Sequence, residues 1–264
     1  MKYFTIIFSL LMFILFTQNA DARKMSAHDI VEKAQDAGKL SGSEAVAVMT
    51  IYDSKGNARI RKTKQASKLY DNGKTEKKII KFLSPADVKG TGLLTFDYED
   101  KSDDMWLFMP ALRKTRRIVS SEKAKSFMGS EFSYADMTPP RIEDFKYKLL
   151  GEEKIDGKNC WKIEQTPINE DVEDENGYSK KLAYIAKDDY LIRKAIFYDF
   201  DGELLKILTA KNIKLLDKKN NKYRATYMEM VNKQNGRKSV LKIEKIQFNP
   251  NVKDEYFTTG YLER

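Results

Sequence analysis

The sequence predicts a mainly β protein whose strands build an antiparallel barrel or a strongly curved sheet. Three observations predict it. Short runs that alternate apolar and polar residues recur along most of the chain, the period-two pattern of half-buried strands. Polar turn signals separate them, among them Asp71-Asn72-Gly73, Asp156-Gly157-Lys158, Asp201-Gly202 and Asn235-Gly236, which favour tight hairpins. Helical periodicity is sparse and does not interleave the strands, as a parallel sheet would require.

In chain order, Ser26 caps a first helix over residues 26–37, with Ile30, Val31 and Ala34 at helical spacing and Gly38 after its end. Strands follow at 45–52 and 59–70, joined by the turn at 53–57. Another at 77–83 is stopped by Ser84-Pro85, and a pair at 92–98 and 105–109 is joined by an acidic turn. The second half continues with strands at 145–150, 160–165, 180–185, 191–199, 204–215, 223–231 and 238–248. Residues 120–143 break the rhythm as a long connection, with short helices near 121–125 and 134–137, closed by Pro139-Pro140; long connections of this kind tend to carry function. The acidic stretch 170–175 reads as a solvated loop; it lacks the alternating ligands and central glycine of a calcium loop.

The N-terminus has the three parts of a secretory signal: Met1-Lys2-Tyr3, an uncharged apolar run over 4–16, and Ala20-Asp21-Ala22 with small residues where a signal peptidase cuts. The run is short of the roughly 20 residues that span a bilayer, so cleavage after Ala22 is favoured over a membrane anchor. Residues 1–22 are therefore a signal peptide and residues 23–264 a single exported domain, with no Pro-, Gly- or Ser-rich linker to divide it. Lys+Arg exceed Asp+Glu by 48 to 39, a net charge of +9, which in an exported protein favours anionic lipid or glycolipid partners and peripheral contact with a membrane. Nucleic acid is disfavoured by the compartment.

The chemistry-bearing inventory is thin. His28 is the single histidine and Cys160 the single cysteine, so a His/Cys zinc site cannot be assembled and no internal disulfide can form. Cys160 sits in an alternating run and reads as a packed residue. There is no G-x-S-x-G turn, and the glycine that Gly73-Lys74-Thr75 would need to complete a phosphate loop is replaced by Lys68. A two-carboxylate glycosidase lacks an acid in an evidently apolar pocket. No catalytic residue, metal or cofactor is assigned.

What stands out is a surplus of flexible and aromatic side chains: 14 Phe, 14 Tyr and 10 Met. The strand at 105–109 is apolar on both faces and must be covered on both. Phe82, Leu94, Phe96, Trp106, Phe108, Phe127, Met128 and Phe132 are the candidate lining of a cavity for acyl chains. For any one of them an ordinary core position explains the residue; the reading concerns the set, and sequence does not decide which strand face points inward. Beside it lies a cationic block, Arg113, Lys114, Arg116 and Arg117, a candidate site for an anionic headgroup or an acidic partner. On a continuous strand Arg113 and Arg117 would share a face, with Lys114 and Arg116 opposite. The competing account is a solvated edge strand kept from aggregating by charge.

The run from Met105 to Ile118 (MWLFMPALRKTRRI), with Ser126-Phe127-Met128-Gly129-Ser130, Phe132-Ser133-Tyr134-Ala135-Asp136 and the ending from Phe248 to Phe257 (FNPNVKDEYF), resembles the outer membrane lipoprotein-sorting-like family, which is similar to the LolA and LolB carriers. The resemblance implies an open, incomplete antiparallel β-barrel with helices as plug or lid over an apolar cavity. It also implies a periplasmic carrier whose cargo is a lipid or an acylated lipoprotein, loaded by an inner-membrane exporter or transporter. The alternative on the same fold is a periplasmic lipid or envelope-stress sensor, a regulatory binding module. The resemblance supplies no catalytic residues.

Overall fold

The computed structural model describes residues 25–264; the expected signal peptide lies outside them. Thirteen strands form one antiparallel sheet: β1 (Gly42–Tyr52), β2 (Ala58–Tyr70), β3 (Thr75–Ser84), β4 (Gly92–Tyr98), β5 (Asp104–Met109), β6 (Lys114–Arg117), β7 (Phe145–Ile155), β8 (Lys158–Pro167), β9 (Lys180–Ala186), β10 (Ile192–Tyr198), β11 (Leu204–Asp217), β12 (Lys222–Asn232) and β13 (Lys238–Phe248). The order is β6-β5-β4-β3-β2-β1-β13-β12-β11-β10-β9-β8-β7. Neighbours in sequence pair in space except that β1 pairs with β13, which joins two meanders into one sheet. β6 and β7 do not pair, so the barrel is open. The helices among the described residues are α1 (Ala27–Gly38), α2 (Ser120–Lys123), α3 (Glu170–Asn176) and α4 (Thr259–Leu262).

The expected strands and the first helix are all present. Ser26 caps α1 through a reciprocal box with Asp29. Two readings are corrected. Residues 170–175 are helical, as α3. Asn169 caps it by accepting from the Val172 N–H, acids in the first turn complement the helix dipole, and Gly177 ends it in a left-handed conformation. The cationic block is partly strand: β6 was hidden because its charged sequence has no apolar alternation. Arg113 precedes it in a left-handed turn, φ 47°, so it does not share strand parity with Arg117.

The sheet has two covered faces. On the inner face, Ile30 and Val31 of α1 pack on Ile163, Ala183 and Ile185, while Gln35 donates to the Pro140 carbonyl at 2.7 Å and Lys39 to that of Gly73 at 3.3 Å. α1 thus plugs the curved sheet and links its two halves. The 118–145 segment covers the rest of this face as a strap. On the outer face, the C-terminal turn and α4 set Val252, Phe257 and Leu262 against Ala66, Ile79 and Leu94. Gly92 makes this approach possible: a Cβ there would lie 2.6 Å from Leu262 Cδ1. The gap between β6 and β7 is bridged by α2 against α3, where Lys123 pairs with Glu175 at 2.5 Å.

Candidate lipid-binding site

Strand alternation sorts the aromatic set onto two faces. Phe82 of β3 points inward with Leu93, Met105 and Leu107, and meets Phe127 of the strap at 5.9 Å between ring centroids. Met128 packs on this cluster from the strap. Phe132 joins a neighbouring inner cluster with Phe145, Tyr178, Phe197 and Met230. Leu94, Phe96, Trp106 and Phe108 point outward and pack with the C-terminal cover. Of the eight residues, only Phe127 and Phe132 line the inner space; Phe82 and Met128 pack in the cluster beside it.

That space is an apolar cavity of about 150 Å³ lined by Met49, Ile80, Leu208, Met228, Met230 and Leu241 of the sheet and by Phe127, Phe132 and Met137 of the strap, with Thr63, Gln65 and Asp136 as its polar points. β3 and β11 lie five strands apart in the sheet order. At about 4.8 Å per strand a flat sheet would separate them by roughly 24 Å. Ile80 of β3 and Leu208 of β11 nevertheless line one cavity, so the sheet is wrapped around it. A wider groove of about 460 Å³ runs on the outer face beside Tyr256 and Tyr261, but Glu44, Lys64, Lys81 and Lys245 share its walls. The wall residues Met49, Ile80, Leu208, Met228, Met230 and Leu241, and Met137 of the strap, are not in the predicted set, since their segments look like ordinary half-buried ones in sequence.

The strap is irregular, so its backbone groups need partners from elsewhere. Cations on the sheet supply several. Arg61 donates to the Met128 carbonyl and lies over the Phe82 ring. Arg237 donates to the Gly129 carbonyl at 2.8 Å and pairs with Glu131. Lys78 donates to the Met137 carbonyl at 2.6 Å. At the strap's far end, Asp136 accepts from the Ser133 N–H at 2.8 Å and from Lys206 Nζ at 3.2 Å. Its carboxylate is 21% exposed. Burial pushes its pKa up, but Lys206 and the Ser133 donors pull harder and hold it below the usual range.

Of the cationic block, Arg117 pairs with Asp104 and Arg116 with Glu122 at 2.7 Å. Arg113 and Lys114 are exposed at the β5–β6 turn with no ion pair among the described residues. Cys160 is fully buried, and burial pushes its thiol pKa up, the opposite of an activated nucleophile. No helix among the described residues is long and apolar enough to cross a membrane.

A family model described as "Uncharacterized protein" matches residues 74–264. A search of curated proteins finds no match. Solved structures do match. A domain from Vibrio parahaemolyticus named as an outer membrane lipoprotein-sorting protein is 30% identical, with 90% of this chain and 98% of that one covered and a TM-score of 0.82. A DUF1329 family protein from Desulfovibrio piger is 30% identical, with 89% and 97% covered and a TM-score of 0.81. A LolA superfamily protein from Nitrosomonas europaea shares the fold at 22% identity, with 90% and 100% covered and a TM-score of 0.67. None of the three is named as an enzyme. A wrapped antiparallel sheet with a plug helix and a strap, matched at 30% identity over nearly the full length of two solved relatives, means that this chain belongs to the outer membrane lipoprotein-sorting-like family and has the LolA-like fold.

Proposed function

We propose that residues 23–264 form one exported domain that carries lipid in the periplasm. It binds the acyl chain of a lipid or lipoprotein in the inner cavity and takes part in outer membrane lipoprotein sorting or lipid transport. One observation carries this reading: the sheet wraps around a cavity whose walls are Met, Leu, Ile and Phe, and a non-sheet strap forms its cover. Unbranched Met side chains repack around variable chains at low cost. The name of the Vibrio relative, from lipoprotein sorting, supports the same reading. At about 150 Å³ the cavity is below the roughly 300 Å³ at which ligand pockets begin, so this is a closed state. Entry of a chain requires the strap to shift and Met49, Met228 and Met230 to change rotamer. The pair Arg113 and Lys114 gives an acidic loading partner such as an inner-membrane exporter, or an anionic headgroup on its way to the cavity, a place to contact the strap's N-terminal side. No residue is given a catalytic role.

The test is titration of the mature protein with a fluorescent fatty acid, a fluorescent phospholipid and an acylated peptide. At least one should bind with a Kd near 1 μM, about −8 kcal/mol. Failure of all three to bind would remove the carrier reading.

A further inference from the structure

Beyond the apolar wall, the inner face around Phe197 brings together two lysines and one carboxylate. Lys206 of β11 pairs with Asp136. Lys181 of β9 is only 9% exposed, and among the described residues it makes no hydrogen bond or ion pair. It lies 5.8 Å from the Tyr178 ring centroid and 5.9 Å from that of Phe197. Lys206 is 4.9 Å from the same Phe197 ring. Phe197 and Tyr178 pack in one cluster with Phe132, Leu208, Met228 and Met230, which are cavity walls. The two lysines sit opposite Phe197 from the strands on either side of it, just behind the cavity, with the Asp136 carboxylate paired to Lys206.

Lys181 Nζ is not a fully buried unpartnered atom, so water still reaches it; with no protein acceptor it is a poorly solvated ammonium that gains when an anionic partner arrives. Burial pulls the Lys181 pKa down to about 8, with Asp136 opposing that shift and Lys206 adding to it. At neutral pH it is still mostly charged. The other polar groups packed near it do not compensate: Gln165 reaches the Tyr178 hydroxyl at 3.5 Å, and Asp136 is already engaged by Lys206 and Ser133.

Resting on the carrier reading, we propose that the cavity's ligand is an acyl chain with an anionic oxyacid head, a carboxylate or a phosphate, and that Lys181 accepts that head beside the Asp136–Lys206 pair. The tail fills the Met-lined space and the head completes the charge balance of the inner wall. The ligand class is thus an acidic amphiphile rather than a neutral one, such as a long-chain alcohol or a diacylglycerol.

The experiment is displacement of Nile red, a neutral probe, from the mature protein by tetradecanoic acid, tetradecyl phosphate and tetradecanol, with inorganic phosphate as a further arm. The acid, the phosphate ester or both should compete about tenfold or more better than the alcohol, the size of a charge-assisted hydrogen bond in a desolvated site. Inorganic phosphate alone should not displace the probe. In Lys181→Met the advantage of the anionic chains should fall to within about twofold while the alcohol is unaffected, and Lys181→Arg should restore much of it. Equal competition by acid, phosphate ester and alcohol in the unmutated protein overturns the proposal and leaves the carrier reading intact. So does an anionic advantage that survives in Lys181→Met. Failure of every chain to displace a bound probe contradicts the carrier reading itself, and the proposal falls with it.

Discussion

Asp136→Asn is expected to lower the free energy of unfolding by about 2 kcal/mol, between the scales for a surface pair and a fully buried one, because Lys206 is buried while Asp136 keeps contact with solvent. The substitution keeps the shape and the oxygen that accepts from Ser133, so the loss isolates the charge. Without it, Lys206, whose side chain is 10% exposed, and Lys181 face each other's field with nothing to offset them. The strap is loosened at the same time, because Asp136 is its anchor to β11. Urea denaturation followed by circular dichroism measures the effect. A loss below about 0.5 kcal/mol, the surface-pair range, would mean that solvent reaches the pair freely. Adding Lys206→Met to Asp136→Asn should recover part of the loss, since the orphaned ammonium is gone.

Asp97→Asn should do the reverse and stabilise the protein at neutral pH. The charges of Asp97 and Asp103 act on each other, and Asp103 accepts from Thr138 Oγ1 at 2.6 Å while its Oδ1 has no partner among the described residues. Glu76 beside them is 8% exposed and has an unpartnered Oε1. Burial first, then the charges of Asp103 and Glu76, push the Asp97 pKa up to about 7, with Lys78 and Lys39 opposing. A raised carboxyl pKa means that the folded state holds the proton more tightly than the unfolded chain, so stability falls as pH rises from about 4 to 7. Above pH 7 the full penalty, on the order of 4 kcal/mol, is present. Asparagine keeps the shape of the protonated acid without a charge to bury. The gain from Asp97→Asn should therefore be near zero at pH 4 and reach its full size by pH 7.5. A gain independent of pH, or a loss at pH 7.5, would contradict this account of the cluster.

Much of the fold was legible because antiparallel strands with one solvated edge of each turn write a period-two pattern broken by Gly, Asn and Asp. The exceptions have physical causes. β6 is an edge strand, and edges are protected by charge; its Lys-Thr-Arg-Arg sequence carries no alternation to find. α3 had its signals in view, Asn169 before and Gly177 after, but its acidic run resembles solvated loop unless the N-terminal dipole is weighed. The site was half legible. The apolar set was visible, yet β3–β5 are apolar on both faces. Only the docking of Leu262 and Phe257 separates Leu94, Phe96, Trp106 and Phe108 on the outer face from Phe82 on the inner one. Lys206 was not legible and Lys181 barely so, because in a lysine-rich chain a buried lysine looks like any other. Strand parity with Ala183 and Ile185 was the one signal for Lys181, and it becomes decisive only once α1 is known to cover that face.

The central claim is that the wrapped sheet holds an acyl chain. The most direct measurement is mass spectrometry of lipids extracted from the protein after its purification in native form from cells that export it. The account predicts an acyl-chain lipid with an anionic head retained at about one per protein, and lost when the cavity is filled by Leu208→Trp in a variant that still folds. Protein that carries no acyl lipid above the level of an unrelated exported control, and that takes none up when refolded with total membrane lipid, would contradict it.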